Sequence, residues 1–229
     1  MKQSLYNFSN FLFPALCPVC RDLLTIPGEI ICLNCEANMP FARYTHEEDN
    51  PVSMLFWGRT RIERATSLFR FEKGSAYQPL LHELKYKGKK EIGIFLGKML
   101  GRELLQTPFM NCTCLIPVPL HPKKHKKRGF NQSEVIAEGV SSITRIPVNK
   151  NLLYRVKDSS TQTNKSRFER YKNVSDVFGL TPLISSEKPG ALLLIDDVVT
   201  TGSTLEACAE VLLKYAPTLR IFIATVACA

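Results

Sequence analysis

No run of apolar residues in this chain approaches the roughly 18 needed to cross a bilayer, so no integral membrane segment is expected. The residues before Cys17 also fall short of a secretory signal. They hold one Lys, and Asn7, Ser9, Asn10 and Pro14 interrupt their apolar content. Leu16 stands directly before Cys17, where lipoprotein cleavage wants a small residue. The expectation is a cytoplasmic protein. Acids are scarce as well: 21 Asp and Glu against 30 Lys and Arg leave a charge of +9, which points to phosphates, nucleic acid or an acidic surface. Two common phosphate fingerprints are missing. Gly202 has no Lys after it, which excludes a Walker A loop, and no second Gly, which excludes a dinucleotide turn.

What the chain does have, across 229 residues that are 45% apolar, suits one α/β domain with a small appendage. Its organising stretch is residues 192–204. Leu192, Leu193, Leu194 and Ile195 form an apolar run without alternation, as in a parallel strand buried on both faces. Asp196 and Asp197 stand where that strand is expected to end. Thr200, Thr201, Gly202, Ser203 and Thr204 make a loop of hydroxyls around a glycine, and Leu205, Ala209, Val211 and Leu212 begin a helical pattern. Strand, tight loop and helix aim backbone N–H groups and the positive end of a helix dipole at one spot, which suits a phosphate. The two acids then fit sugar hydroxyls, or a Mg²⁺ that arrives with the ligand.

The eight cysteines are not spread like a secreted disulfide framework. Cys17 and Cys20 form one Cys-x₂-Cys knuckle, and Cys32 and Cys35 form another after eleven residues. Paired knuckles of this kind bring four thiolates around a structural zinc ion. Two disulfides are the other pairing, disfavoured in a reducing cytosol, and unligated thiols are the third reading. Cys112, Cys114, Cys208 and Cys228 read as small hydrophobes.

Elsewhere, Leu5, Phe8, Phe11 and Leu12 predict a short amphipathic helix, and the polar residues 41–51 read as a linker. Residues 65–71 look like a strand, while 77–85 and 92–105 have helical periodicity. Between those helices, Lys85, Tyr86, Lys87, Gly88, Lys89 and Lys90 form a basic stretch that either holds a phosphate, stacks a base or is simply solvated. A second apolar run at 115–120 contains Pro117 and Pro119, so its strand must lie where a missing N–H does no harm. Lys123, Lys124, Lys126, Lys127 and Arg128 follow, read as a phosphate or pyrophosphate loop at the carboxyl edge of the sheet. Gly129, Phe130, Asn131 and Gln132 close it before a helix of Val135, Ile136, Ala137 and Val140. Tyr86 and Phe130 are the candidate stacking rings of a single-strand path along these lysines.

Residues 192–204 resemble the phosphoribosyl pyrophosphate motif of the type I phosphoribosyltransferases: four apolar residues, two acids, two further residues, then Thr-Thr-Gly-x-Thr. That resemblance implies a Rossmann-like parallel sheet flanked by helices, with Asp196 and Asp197 on the ribose hydroxyls. It also puts the loop of Val199, Thr200, Thr201, Gly202, Ser203 and Thr204 on the 5′-phosphate. Four features in one order are similar to the ComF/GntX family: the four N-terminal cysteines, Lys85 to Lys89, Pro117 to His121 with Arg128 to Gln132, and the Asp-Asp-x-x-Thr-Thr-Gly loop. A segment with Gln162, Arg167, Arg170 and Asn173 matches the same pattern, where the transferases carry a hood over the site. The family implies Lys85 and Lys87 as further ligand contacts and Arg128, with the flanking lysines, as charge for a leaving pyrophosphate held with Mg²⁺. It also implies a role in uptake of transforming DNA, with single-stranded DNA and a DNA-uptake helicase as partners. The expected organisation is a helix, Cys₄ zinc module and linker at 1–50 and a phosphoribosyltransferase-like domain at 51–229.

Overall fold

The computed structural model describes residues 15–72, 74–156, 177–181 and 190–229. The amphipathic helix expected around Phe8 and the segment holding Gln162, Arg167, Arg170 and Asn173 lie outside the described residues.

The described chain opens with helices α1 (Leu33–Ala37) and α2 (Pro51–Met54), then strand β1 (Arg64–Arg70) and helices α3 (Gln78–Tyr86) and α4 (Lys90–Leu104). A 3₁₀ turn at Pro108–Asn111 leads to β2 (Cys114–Pro117), α5 (Pro122–Arg128) and α6 (Gln132–Thr144). After β3 (Leu153–Arg155) and β4 (Phe178–Leu180) come β5 (Ala191–Val199), α7 (Ser203–Tyr215) and β6 (Arg220–Cys228). Four strands form a parallel sheet in the order β1–β6–β5–β2, and β3 pairs antiparallel with β4 beside it. This is the mixed α/β fold with helices on both faces that the buried strand run predicted. Ala191 to Ile195 are buried without a break, as a strand covered on both faces requires. No helix among the described residues is long and apolar enough to cross a membrane.

Three local rules explain how the site edge is built. First, β2 is an edge strand of the sheet, and its prolines stand on the side away from β5. Leu115 donates outward to the Pro147 carbonyl at 2.8 Å, while Val118 donates inward to Ile195 at 2.9 Å. Pro117 and Pro119 share the outward phase of Leu115, so neither interrupts the ladder. Second, β5 outruns β2. Its pairing with β2 stops at Pro117↔Ile195, whereas pairing with β6 continues to Val199↔Cys228. Asp196 and Asp197 therefore lie within the strand rather than beyond its end, a correction to the sequence reading. Third, the basic stretch at 123–128 is a helix, not a loop. His121 caps α5 by accepting the Lys123 N–H at 3.2 Å, Pro122 occupies the first turn, and Gly129 closes it at φ 80°. That is the usual asymmetry of proline at the start and glycine just past the end.

The residues read as a linker are anchored at both ends. Ala42 donates to Leu68 and Arg70 to Pro40, each at 2.9 Å, which adds a short segment to the outer edge of β1. Asn50 is 1% exposed, caps α2 through Val52 and Ser53, and donates to the Ala65 carbonyl at 2.9 Å. The Cys module shares a hydrophobic cluster with α3, α4 and α6 on one face of the sheet, through Cys17, Ile31, Cys35 and Met39. Helices α2 and α7 and the β3–β4 pair cover the opposite face.

Candidate functional site

The hydroxyl loop after β5 behaves as its composition suggests. Gly202 takes φ 75°, and a Cβ there would sit 3.0 Å from the Phe56 ring, so conformation and space both call for glycine. Gly202 caps α7 with no side chain accepting from the helix's first N–H groups, which leaves donors for an external acceptor. The Thr201 and Ser203 hydroxyls are 2.9 Å apart. Asp196, Val199, Thr200, Thr201, Gly202, Ser203 and Thr204 line one small open recess of about 50 Å³.

The two acids sit between the amino ends of two helices. Asp196 Oδ1 accepts the Ser133 hydroxyl at 2.8 Å and the Asp197 N–H at 2.9 Å. Ser133 is held in the first turn of α6 by Asn131, which accepts its N–H at 3.1 Å and donates to the Val118 carbonyl at 2.9 Å. Asp197 pairs with Lys85 Nζ at 3.0 Å. Burial and the adjacent Asp197 charge push the Asp196 carboxyl up to about 7, against the pull of Ser133, the Asp197 amide and Lys85. The unfolded carboxyl titrates near pH ~3.9, so the folded chain holds the extra proton between about pH 4 and 7, and stability falls as pH rises through that window. Asp196→Asn should flatten this fall, giving a variant about 1–3 kcal/mol more stable than wild type at pH 8 but not at pH 4. Urea midpoints across the range, variant against wild type, read this directly.

The expected cations divide into two groups. Lys85 joins the acids. Lys87 turns instead to Glu83, which it meets at 3.0 Å while Lys89 meets the other oxygen at 2.8 Å. Glu83 is 3% exposed. Burial alone would raise its carboxyl, but Lys89 and Lys87 together hold it below the usual range. Arg128 donates to Gln132 at 2.9 Å and lies 5.4 Å over the Tyr86 ring. Tyr86 is 60% exposed and packs its other neighbour, His82, at 4.9 Å. Lys123, Lys124, Lys126 and Lys127 are all exposed on α5. Phe130 does not serve as a stacking ring: it is 6% exposed, belongs to the core and lies under Lys90. The run from Gly129 to Gln132 thus closes α5 and starts α6, and in doing so positions Arg128 and Ser133.

Sequence reasoning missed three participants. Ser133 had a usable signal in Asn131, a capping residue just ahead of it. Phe56 and Arg59 had none, because they reach the loop from far earlier in the chain. Arg59 donates to the Thr201 carbonyl at 2.7 Å and pairs with Glu206 of α7.

The four N-terminal cysteines form the second site. Their sulfurs all lie within 4.8 Å of one another, and those of Cys20 and Cys32 are 3.6 Å apart. Zn–S bonds of ~2.3 Å in a tetrahedron place sulfurs about 3.8 Å apart, so the cluster fits zinc with no open position. None of the eight cysteines is joined in a disulfide, and four sulfurs gathered at one point favour a shared metal over two disulfides. The knuckles are shaped for convergence. Cys17 donates to Asp22 at 2.8 Å and accepts from Arg21 at 2.9 Å, with Arg21 at φ 70°. Cys32 opens α1 and Cys35 lies within it. Cys112, Cys114, Cys208 and Cys228 stand apart from the cluster, buried or half-buried.

No family model matches the chain. Among curated proteins, DNA utilization protein YhgH of Escherichia coli O157:H7 is 31% identical over 216 residues, 88% of this chain and 92% of that protein. Competence protein F of Haemophilus influenzae is 35% identical over 100 residues, 44% of each chain. The chain belongs to the ComF family. The match to the YhgH protein of Shigella flexneri, also 31% identical, spans 140 residues and 60% of that relative's length.

Proposed function

We propose that this ComF-family chain binds phosphoribosyl pyrophosphate with Mg²⁺ and transfers or removes the phosphoribosyl group on an acceptor that its described residues do not identify. One observation carries the reading. Two carboxylates and an uncapped Thr-Gly helix start meet at the carboxyl edge of β5, where β2 has already ended. Connections from β5 and β2 leave to opposite faces of the sheet there, which is where open α/β sheets bind ligands. The loop of residues 200–204 would take the 5′-phosphate, and Asp196 and Asp197 the ribose hydroxyls. Lys85 and Arg128 would supply charge toward the pyrophosphate, since departure from C1 through a cationic state needs stabilised leaving-group charge more than a strong acid or base. The acids are already engaged by Ser133 and Lys85, so they suit a Mg²⁺ carried by its phosphates rather than a resident ion. Residues 51–229 form the ligand unit, since the stretch from α2 to Arg59 reaches the loop.

A second reading has its own support. Relatives are named for competence and DNA utilization, and an exposed Tyr86 backed by Arg128 stands near the exposed lysines of α5. Single-stranded DNA, delivered with a DNA-uptake helicase in the cytoplasm, would stack there, and the ligand site would then regulate that binding. Calorimetry separates the two. Phosphoribosyl pyrophosphate with Mg²⁺ should bind wild type, and Asp197→Ala or Gly202→Val should weaken it at least about tenfold, the loss of roughly one charge-assisted contact. A labelled oligonucleotide that responds to Tyr86→Ala by about 1–3 kcal/mol, in protein that ignores phosphoribosyl pyrophosphate, would leave the nucleic-acid reading alone.

A further inference from the structure

Arg59 is tied to the candidate loop more closely than any cation picked out by motif. Its Nη1 donates to the Thr201 carbonyl at 2.7 Å and to the Leu55 carbonyl at 2.9 Å. Its Nε donates to Glu206 Oε1 at 3.1 Å, and Nη2 donates to the other carboxylate oxygen. One guanidinium thus joins the turn after α2, the middle of the loop and the first turns of α7. Planar forks of this kind suit Arg and not Lys. From the same turn, Phe56 packs against Gly202.

Glu206 makes the arrangement informative. It is 9% exposed and sits one turn into the helix whose amino end faces the recess. A bare carboxylate there would oppose any anion at that end and would be costly to bury. Arg59 cancels the charge. It also draws the Thr201 carbonyl toward itself, and Arg59 is not among the residues lining the recess. The loop's acceptor is therefore turned out, while the first N–H groups of α7 remain uncapped.

We propose that Arg59 is a positioning residue for the loop at 200–204, holding it in the conformation that receives an anion and neutralising Glu206 behind it. For ligand affinity this rests on the phosphoribosyl pyrophosphate reading; for loop order it does not. The test compares wild type with Arg59→Gln, Arg59→Lys and Glu206→Gln, well below their unfolding temperatures. Two quantities are measured: amide hydrogen exchange in the peptide covering 200–206, and calorimetric affinity for phosphoribosyl pyrophosphate with Mg²⁺. Arg59→Gln should speed exchange in that peptide and weaken binding, each about tenfold, with exchange in α4 and β6 unchanged. Arg59→Lys, which keeps the charge but not the fork, should recover part of the affinity and less of the loop protection. Glu206→Gln should loosen the loop less than Arg59→Gln, because the bond to Thr201 survives. Unaltered exchange at 200–206 in Arg59→Gln overturns the proposal, and so does a loosened loop that binds as tightly as wild type. If wild type binds no ligand while exchange responds as described, the ligand reading falls and the hold of Arg59 on the loop stands. Should Arg59→Gln fail to fold, Arg59→Lys and Glu206→Gln carry both measurements to the same decision.

Discussion

Protein purified without chelator should contain one zinc ion per chain, and stripping that ion should lower the melting temperature by roughly 10 °C or more, a loss of several kcal/mol at this chain length. The segment from Ala15 to Met39 has little secondary structure to order it. Its helix α1 is five residues long, far below what holds in isolation, and its remaining regularity is a bridge between Leu16 and Leu23. Four crowded sulfurs without an ion cannot all be ionised, and burial with the neighbouring sulfurs pushes the Cys35 thiol well above its ordinary value. The damage should spread beyond the knuckles. Cys17 is 0% and Cys35 6% exposed within the cluster that contains Phe69, Tyr77 and Leu80, and the Tyr77 hydroxyl donates to the Cys35 carbonyl at 2.8 Å. Hydrogen exchange after chelation should therefore rise most at 15–39, less in α3 and β1, and little in β5 and β6. Cys35→Ser should reproduce the effect, and Cys112→Ser, buried but outside the cluster, should leave the metal content at one. Zinc-free protein with an unchanged melting temperature would sink the assignment.

The parts of this molecule that could be read from residues alone are those where local chemistry decides. Leu192 to Ile195 declare a doubly covered strand because nothing polar alternates among them. The Cys-x₂-Cys pairs declare a cluster of four sulfurs because each tight knuckle turns both of its side chains to one point. Gly202 declares a special backbone because a hydroxyl-rich turn into a helix needs one. What resisted reading was set by distant partners. The extent of β5 depends on its register with β6, so the acids looked terminal when they are not. Phe130 after a basic run resembles a stacking ring until α4 and Lys90 cover it. Lys87 and Lys89 resemble ligand contacts until buried Glu83 appears between them. Arg59 and Glu206 are 147 positions apart, and no pattern on either element announces the other. The helix at 122–128 is a different case, since Pro122 and Gly129 mark its two ends in the sequence although the run of like charges between them reads as a loop.

The largest loss of stability from a single methyl group should come at Gly97 in α4. A Cβ there would lie 2.2 Å from the Ile136 carbonyl oxygen and 3.0 Å from Gly139 Cα, both backbone atoms of α6. At Gly139 the reciprocal Cβ would meet the Ile94 carbonyl at 2.5 Å. Neither obstacle can rotate aside, so the two helices must separate, and the buried faces of Leu96, Leu100, Ile136 and Val140 separate with them. Gly97→Ala should cost about 3 kcal/mol or more, lowering the melting temperature by roughly 6–12 °C. The sign is the sharp part of the test. In an open helix the same change stabilises by up to about 1 kcal/mol, so a gain at Gly97 would mean the crossing is looser than described. Gly93→Ala is the comparison, because its Cβ would meet Val135 Cγ1 at 2.9 Å and Leu84 Cδ1 at 3.0 Å, side-chain atoms able to yield. It should cost less than about 1 kcal/mol, since flexible neighbours absorb most of the added volume. The crossing also bears on the ligand site, because Ser133 on α6 holds Asp196. Folded Gly97→Ala at low temperature should accordingly bind phosphoribosyl pyrophosphate more weakly than Gly93→Ala, although neither glycine touches the recess.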